Sequence, residues 1–274
     1  MSAFPSFGSK LAASWKATNS LVCVGLDPEP RKFPDQFRDS PGGIFQFNRA
    51  IIDATREFVC AYKPQFAHYA AHSAENQLEH TIDYIKSTCP NAIVILDSKR
   101  GDIGSTAEQY ALEAFERYGA DAVTVNPYLG RDSVEPFLKH ADKGVIILCR
   151  TSNPGARDFQ DLDVGGKKLF QHVAERVAKE WNAEGNCMLV VGATYPDELA
   201  DIRARVGDLP FLVPGVGAQG GDVAKAVKNG KSAAGTGLVI SSSRAILYAS
   251  SGADFADAAR KAARELRDSI NAHR

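Results

Sequence analysis

Asp97, Lys99 and Asp102 fall close together in the stretch Ile95-Leu96-Asp97-Ser98-Lys99-Arg100-Gly101-Asp102-Ile103-Gly104-Ser105-Thr106. Carboxylates flanking an ammonium can keep it protonated and fix its direction. That is how a protein places a proton donor where negative charge develops during a reaction. A solvated turn with a salt bridge would use the same residue types, but here the charges follow an apolar run directly. Ala92 to Leu96 is continuous and rich in branched residues, the pattern of a parallel strand buried on both faces. Charges directly after such a strand must reach water or face one another in a cleft, and α/β proteins bind ligands in clefts at strand carboxyl ends. Alternation along the strand puts Asp97 and Lys99 on one face, with Ser98 opposed. Gly101 then turns the chain and brings Asp102 to the same mouth.

The elements that must position these groups repeat along the chain. Leu21 to Pro28 reads as a first strand ending in Asp27, an acid that turn or cap chemistry could also explain. Phe58 to Gln65 is the second and ends in Lys63. A lysine at an inner position needs a partner, and the central acids are suitable ones; a snorkelling surface lysine is the other reading. Asp121 to Tyr128 is the fourth, exiting through Asn126 and Tyr128. Gly144 to Gly155 is the fifth strand with a turn-forming tail that carries Ser152, and Ala156 to Gly165 reads as an exposed excursion able to close over a ligand. Met188 to Pro196 is the sixth strand. Phe211 to Asp222 is the seventh, with Gly215, Gly217, Gly220 and Gly221 leaving backbone N–H groups unshielded, as phosphate binding needs. Leu238 to Arg244 is the eighth, ending in an arginine whose planar fork suits phosphate oxygens.

Helical patterns separate the strands: Gly42 to Arg56, Gln77 to Thr88, Thr106 to Tyr118 with Ser105 or Thr106 available as N-cap, and Leu169 to Asn182. Phe7 to Ala17 predicts an amphipathic helix over one end of the sheet, with Phe7, Leu11, Ala12 and Trp15 as its apolar side. Ala253 to Ala272 predicts a closing helix with Phe255, Ala258, Ala262 and Leu266 inward. Strand exits at Asp27, Lys63, Asp97, Asn126, Thr151, Thr194, Pro214 and Ser243 make one (β/α)₈ TIM barrel over residues 1–274, preceded by an N-terminal helix.

Composition narrows the function. With 274 residues, 44% hydrophobic and 24% charged, the chain can bury one large core. A net charge of -1 supplies no broad basic field, which argues against nucleic acid or an anionic membrane as main partner. Cys23, Cys60, Cys89, Cys149 and Cys187 are scattered through apolar runs without C-x-x-C spacing and read as reduced core cysteines. Met-Ser-Ala-Phe-Pro, with its first cation at Lys10, does not read as a signal peptide, and no run is long enough to span a membrane. His68 and His72 could share a metal on one helix face, but a third ligand at suitable spacing is missing, so no metal site is expected.

The spacing Asp97-x-Lys99-x-x-Asp102-Ile103-x-x-Thr106 resembles the signature of the orotidine 5′-monophosphate decarboxylase family, and Gly101 to Ala107 resembles its longer, second subgroup. Matching segments run from about Leu21 to Tyr248. The resemblance implies cofactor-free decarboxylation of orotidine 5′-monophosphate to uridine 5′-monophosphate in de novo pyrimidine biosynthesis, while the lack of a signal-peptide pattern points to the cytoplasm. The resemblance also implies Lys99 as proton donor, Asp97 and Asp102 holding it, and Lys63 offsetting their repulsion. Asp27 then bonds the ribose, Ser152 in Ser-x-Pro-Gly contacts the pyrimidine, and Gln219 and Arg244 contact the phosphate. The position before that arginine, often glycine in the family, is Ser243 here. The family's sites lie at a two-fold interface, so the resemblance also implies a homodimer in which Asp102, Ile103 and Thr106 reach into the neighbouring subunit. The rivals are a metal-dependent sugar-phosphate lyase of the same superfamily, which shares the short Asp-x-Lys-x-x-Asp, and a non-catalytic phosphosugar-binding barrel.

Overall fold

Val22-Cys23-Val24-Gly25-Leu26 buries every one of its residues, as a parallel strand packed between a barrel interior and an outer helical layer must. Five of the seven further strands follow the same rule throughout, and the other two depart from it only at Ser98, Lys99 and Arg100 and at Leu148. In the computed structural model, which describes residues 5–216 and 222–274, all eight form a closed parallel barrel. The strands are β1 (Val22–Leu26), β2 (Ala61–Pro64), β3 (Ile93–Arg100), β4 (Ala122–Val125), β5 (Gly144–Arg150), β6 (Cys187–Val191), β7 (Phe211–Val213) and β8 (Leu238–Ser242). Each pairs with its sequence neighbours, and β8 returns to β1 through Val22↔Ile240 and Val24↔Ser242. The sequence expectation of a (β/α)₈ barrel is met.

The helices that wrap it are α1 (Phe7–Thr18), α2 (Gly43–Thr55), α3 (Glu75–Thr88), α4 (Gly104–Leu112), α5 (Arg131–Leu138), α6 (Leu169–Arg176), α7 (Pro196–Val206), α8 (Val223–Gly230) and α9 (Phe255–Asn271). One wide-pitched turn extends α4 over Glu113–Arg117, and another extends α6 over Val177–Trp181. Helix α1 lies under the amino ends of the strands: Phe7 N–H donates to the Ala141 carbonyl at 3.4 Å, and Ser14 Oγ donates to the Cys60 carbonyl at 2.7 Å. The Phe7 ring sits on Gly144 so closely that a Cβ there would lie 2.5 Å from ring Cζ.

Several local expectations need correction. Helix α4 starts at Gly104, with Ile103 as its boundary residue, so neither Ser105 nor Thr106 caps it and Thr106 lies in its first turn. In α1 the buried side is Phe7, Leu11, Ser14 and Trp15, and Ala12 is exposed, because Ser14 finds a buried carbonyl to bond. In α9 the buried stripe is Phe255, Ala259, Ala263 and Ile270, one residue round from the expected face; Ala262 and Leu266 flank it. The 156–165 segment is less free than an excursion: Pro154–Asp158 is a 3₁₀ turn with Ala156 buried, and a small hairpin pairs Asp163–Val164 with Lys167–Lys168.

All five cysteines are buried and unpaired, and burial pushes the Cys23 and Cys187 thiols up to about 12, so they behave as core residues. Among the described residues, no helix is long and apolar enough to cross a membrane. Because Phe7 is buried at the end of the barrel opposite the strand exits, Phe7→Ala is expected to cost about 3 to 5 kcal/mol of stability in urea unfolding while leaving kcat/KM at the wild-type value.

Candidate active site

The carboxyl end of β3 is bulged. Pairing with β4 runs Leu96↔Val123 and then jumps to Arg100↔Val125, so Asp97, Ser98 and Lys99 together stand opposite Thr124. Lys99 takes φ 47°, a left-handed conformation unusual for a side-chain-bearing residue and worth on the order of 1 kcal/mol or more of strain. Thr124 accommodates the bulge with one hydroxyl. Its Oγ1 accepts from the N–H of Ser98 at 3.0 Å and of Lys99 at 2.9 Å, and donates to Asp97 Oδ1 at 2.9 Å. Asp97 and Lys99 therefore meet as expected, but through a bulge and a left-handed residue instead of simple strand alternation. The turn attributed to Gly101 is likewise made elsewhere, since the left-handed residues here are Lys99 and Gly104.

Asp97 is the centre of the array. Lys63 Nζ donates to its Oδ2 at 2.7 Å, and Lys99 Nζ to its Oδ1 at 2.6 Å. Lys63 and Asp97 are both buried, whereas the Lys99 side chain is 46% exposed. Burial by itself would raise the Asp97 pKa, but the charges of Lys63 and Lys99 outweigh it and hold the carboxyl well below the usual carboxylate range. Burial would equally lower Lys63, yet Asp97 and then Asp27 raise it above the usual lysine range. Asp97 is thus an anion that does not take the proton of the lysine beside it.

These groups open into a cavity of about 450 Å³ at the strand exits. Leu148, Val190 and Leu212 give it an apolar base, and Ser152 and Gln160 line its β5 side. Gln160 ties that side together: Thr151 N–H donates to Gln160 Oε1 at 2.9 Å, and Gln160 Nε2 donates to Thr151 Oγ1 at 2.8 Å. Gly192 permits the approach of Ser152, because a Cβ there would lie 2.9 Å from Ser152 Cβ. Lys63, Lys99 and Asp97 are the charged groups of the described lining, so the cavity carries one net positive charge near neutral pH.

Asp27 follows β1, with Oδ1 buried and without a hydrogen-bond partner, and its charge acts on Lys63. Tyr248, which the sequence reading did not single out, donates to the Asp27 carbonyl at 3.1 Å and accepts from Glu29 N–H at 2.7 Å. Arg244 follows β8 and is exposed at the start of a short helix, Arg244–Leu247, while Gln219, Gly217, Gly220 and Gly221 lie outside the described residues. Asp102, Ile103 and Thr106 do not line the cavity of their own chain. Asp102 Oδ1 accepts from Ile103 N–H at 2.8 Å, and the Ile103 side chain is 58% exposed.

Asn126 does not line the cavity; its Oδ1 accepts from Tyr128 N–H at 3.0 Å, and Tyr128 is exposed and meets Phe159 edge-on. His68 does not pair with His72: its Nδ1 lies 3.1 Å from the Pro28 carbonyl, and the short helix Phe66–Ala70 ends before His72. Thr124 and Gln160 were missed because a lone threonine or glutamine carries no motif. Thr124 was findable as an inward position of a strand next to β3.

Comparison with known proteins agrees with this geometry. Residues 20–262 match the model of the family described as orotidine 5′-phosphate decarboxylase / HUMPS. The chain is 62% identical over 268 residues to an orotidine 5′-phosphate decarboxylase of Azoarcus sp. strain BH72, covering 98% of this chain and 99% of that protein. It is 61% identical over 269 residues to the protein of that name from Aromatoleum aromaticum, with 98% and 99% coverage. Among solved structures it is similar to an OMP decarboxylase of Leishmania donovani, with a TM-score of 0.84, 39% identity and 98% of each chain covered.

The buried ion pair has a pH signature. Asp97→Ala strands Lys63 and is expected to cost about 3 to 5 kcal/mol in urea unfolding at pH 7. The folded pKa of Asp97 is depressed, so its stabilisation is fully present above the unfolded carboxyl pKa of about 4 and is lost as pH falls toward the folded value. The gap between wild type and variant should accordingly narrow below about pH 4, which unfolding curves across pH 2 to 7 would measure.

Proposed function

Because this chain belongs to the orotidine 5′-phosphate decarboxylase / HUMPS family, it decarboxylates orotidine 5′-monophosphate in pyrimidine biosynthesis, and we propose that Lys99 is the group that protonates the product carbon. The observation that carries this is the Lys99 ammonium held 2.6 Å from a carboxylate that stays ionised. Loss of carbon dioxide from C6 leaves an electron pair in the plane of the pyrimidine ring, where the π system cannot accept it. A fixed ammonium beside C6 stabilises that pair as it forms and then supplies the proton. The neutral amine left behind regains its proton from water, which its half-exposed side chain can reach. Lys63 and Thr124 keep Asp97, and through it Lys99, in place.

The net positive cavity suits an anionic nucleotide. In this reading Ser152 meets the base, Asp27 the ribose, and Arg244 with Gln219 the phosphate. Residues 1–274 act as one domain, in the cytoplasm. A second acid completes the array, and it comes from a neighbouring subunit: Asp102, Ile103 and Thr106 sit outside their own cavity, and Ile103 exposes an apolar side chain that a two-fold partner would cover. No step uses a metal, so turnover should survive exhaustive chelation, whereas a metal-dependent lyase would lose it.

Lys99→Ala is expected to fold and to lose at least about a thousandfold in kcat, followed by the change in ultraviolet absorbance of the substrate. More than a tenth of wild-type kcat would remove Lys99 from the role. Mixing Lys99→Ala with Asp102→Ala under conditions of subunit exchange should restore activity, since random pairing makes about a quarter of shared sites whole. A mixture as inactive as its components, with exchange confirmed by labelled chains, would place each site within one chain.

A further inference from the structure

Arg100 immediately follows Lys99 and closes the bulge: it is where the pairing of β3 with β4 resumes, and its carbonyl accepts from Asn126 N–H at 2.7 Å. Its guanidinium lies on the helical layer outside the barrel. Nε and Nη2 each donate to a different oxygen of Glu113 at 2.9 Å, in the wide-pitched turn that follows α4. The same guanidinium is 4.4 Å from the centre of the Phe66 ring and 4.5 Å from that of Tyr110. Both partners of the ion pair are largely shielded, 16% and 20% exposed, so the fork is held by charge, geometry and stacking together.

We propose that Arg100 is a positioning residue for Lys99. Clamped to Glu113 between two rings, it fixes the chain just beyond the left-handed residue, while Thr124 fixes it from within the barrel. Without that outer anchor the bulge can relax toward regular strand geometry, and the Lys99 ammonium leaves the place where C6 must be met. The fold repeats the device at β5. There the pairing with β6 also shifts register before Arg150, whose guanidinium pairs with Glu198 of α7 and stacks 4.5 Å from the Tyr195 ring, directly before the segment carrying Ser152. Two bulged strand ends that present site residues are each pinned by an arginine to a glutamate of the outer helical layer and to flanking rings.

The proposal rests on Lys99 being the proton donor, and the test separates the two claims. Arg100→Ala and Glu113→Ala should each lower kcat by about ten- to a hundredfold, the scale of misplacing a reacting group by about 1 Å, with KM within about threefold of wild type. The double variant should lose no more than either single one, because the clamp acts as a unit. Arg100→Lys keeps the charge but neither the fork nor the flat face, and should recover little of kcat. Circular dichroism and thermal midpoints identify folded variants, and Glu113→Gln, which keeps the shape of its partner, serves if Arg100→Ala does not fold. The proposal is overturned by folded clamp variants with kcat within twofold of wild type, by losses that add in the double variant, or by a rise in KM that accounts for the whole effect. Lys99→Ala, run in parallel, is inactive if the donor assignment holds; an active Lys99→Ala overturns that assignment irrespective of how the clamp behaves.

Discussion

Asp97 is buried, and a buried carboxylate stays ionised only where charge and hydrogen bonds replace the water it has lost. Lys63 on one oxygen, with Lys99 and Thr124 on the other, make that replacement. Lys63 in turn is tolerable at an inner barrel position because Asp97 faces it. Removing Asp97 leaves two cations uncompensated, whereas removing either lysine leaves the other paired with it. The site is therefore an electrostatic unit, and its surplus of one positive charge is what an anionic substrate and a further acid would satisfy.

The barrel divides labour between its ends. The amino end is closed by α1, whose Phe7 rests on Gly144 and whose Ser14 hydrogen-bonds the Cys60 carbonyl. At the carboxyl end the regular ladder is broken twice, at β3 and at β5, next to the residues that face the cavity. Breaking the ladder lets Asp97 and Lys99 converge on one point, but it frees backbone N–H groups and places Lys99 at a positive φ. Thr124 inside and the arginine outside answer those two costs.

Much of this was legible because it depends on strand periodicity and on charges that have no other place to go. Eight buried runs, seven of them with polar exits and one ending at Pro214, give the barrel, and Asp-x-Lys after one of them, with a lysine after another, gives the centre of the array. The bulge was not legible: alternation already put Asp97 and Lys99 on one face, so nothing signalled that a different geometry brings them together. Thr124 and Gln160 act through single hydroxyl and amide groups without motif partners. The start of α4 was misplaced because Ser105 and Thr106 are good capping residue types, whereas Gly104 can take the left-handed conformation that starts the helix before them. The α9 stripe was read one residue round because alanines recur at several spacings along it.

The role of Lys99 can be read from the product side, since the group that delivers a proton to C6 must also be able to remove it. Uridine 5′-monophosphate incubated with the protein in D₂O should exchange its C6 hydrogen for deuterium, as followed by proton NMR. If Lys99 is the donor, Lys99→Ala binds the nucleotide but leaves the C6 signal intact. Exchange by the folded variant at the wild-type rate would contradict that role.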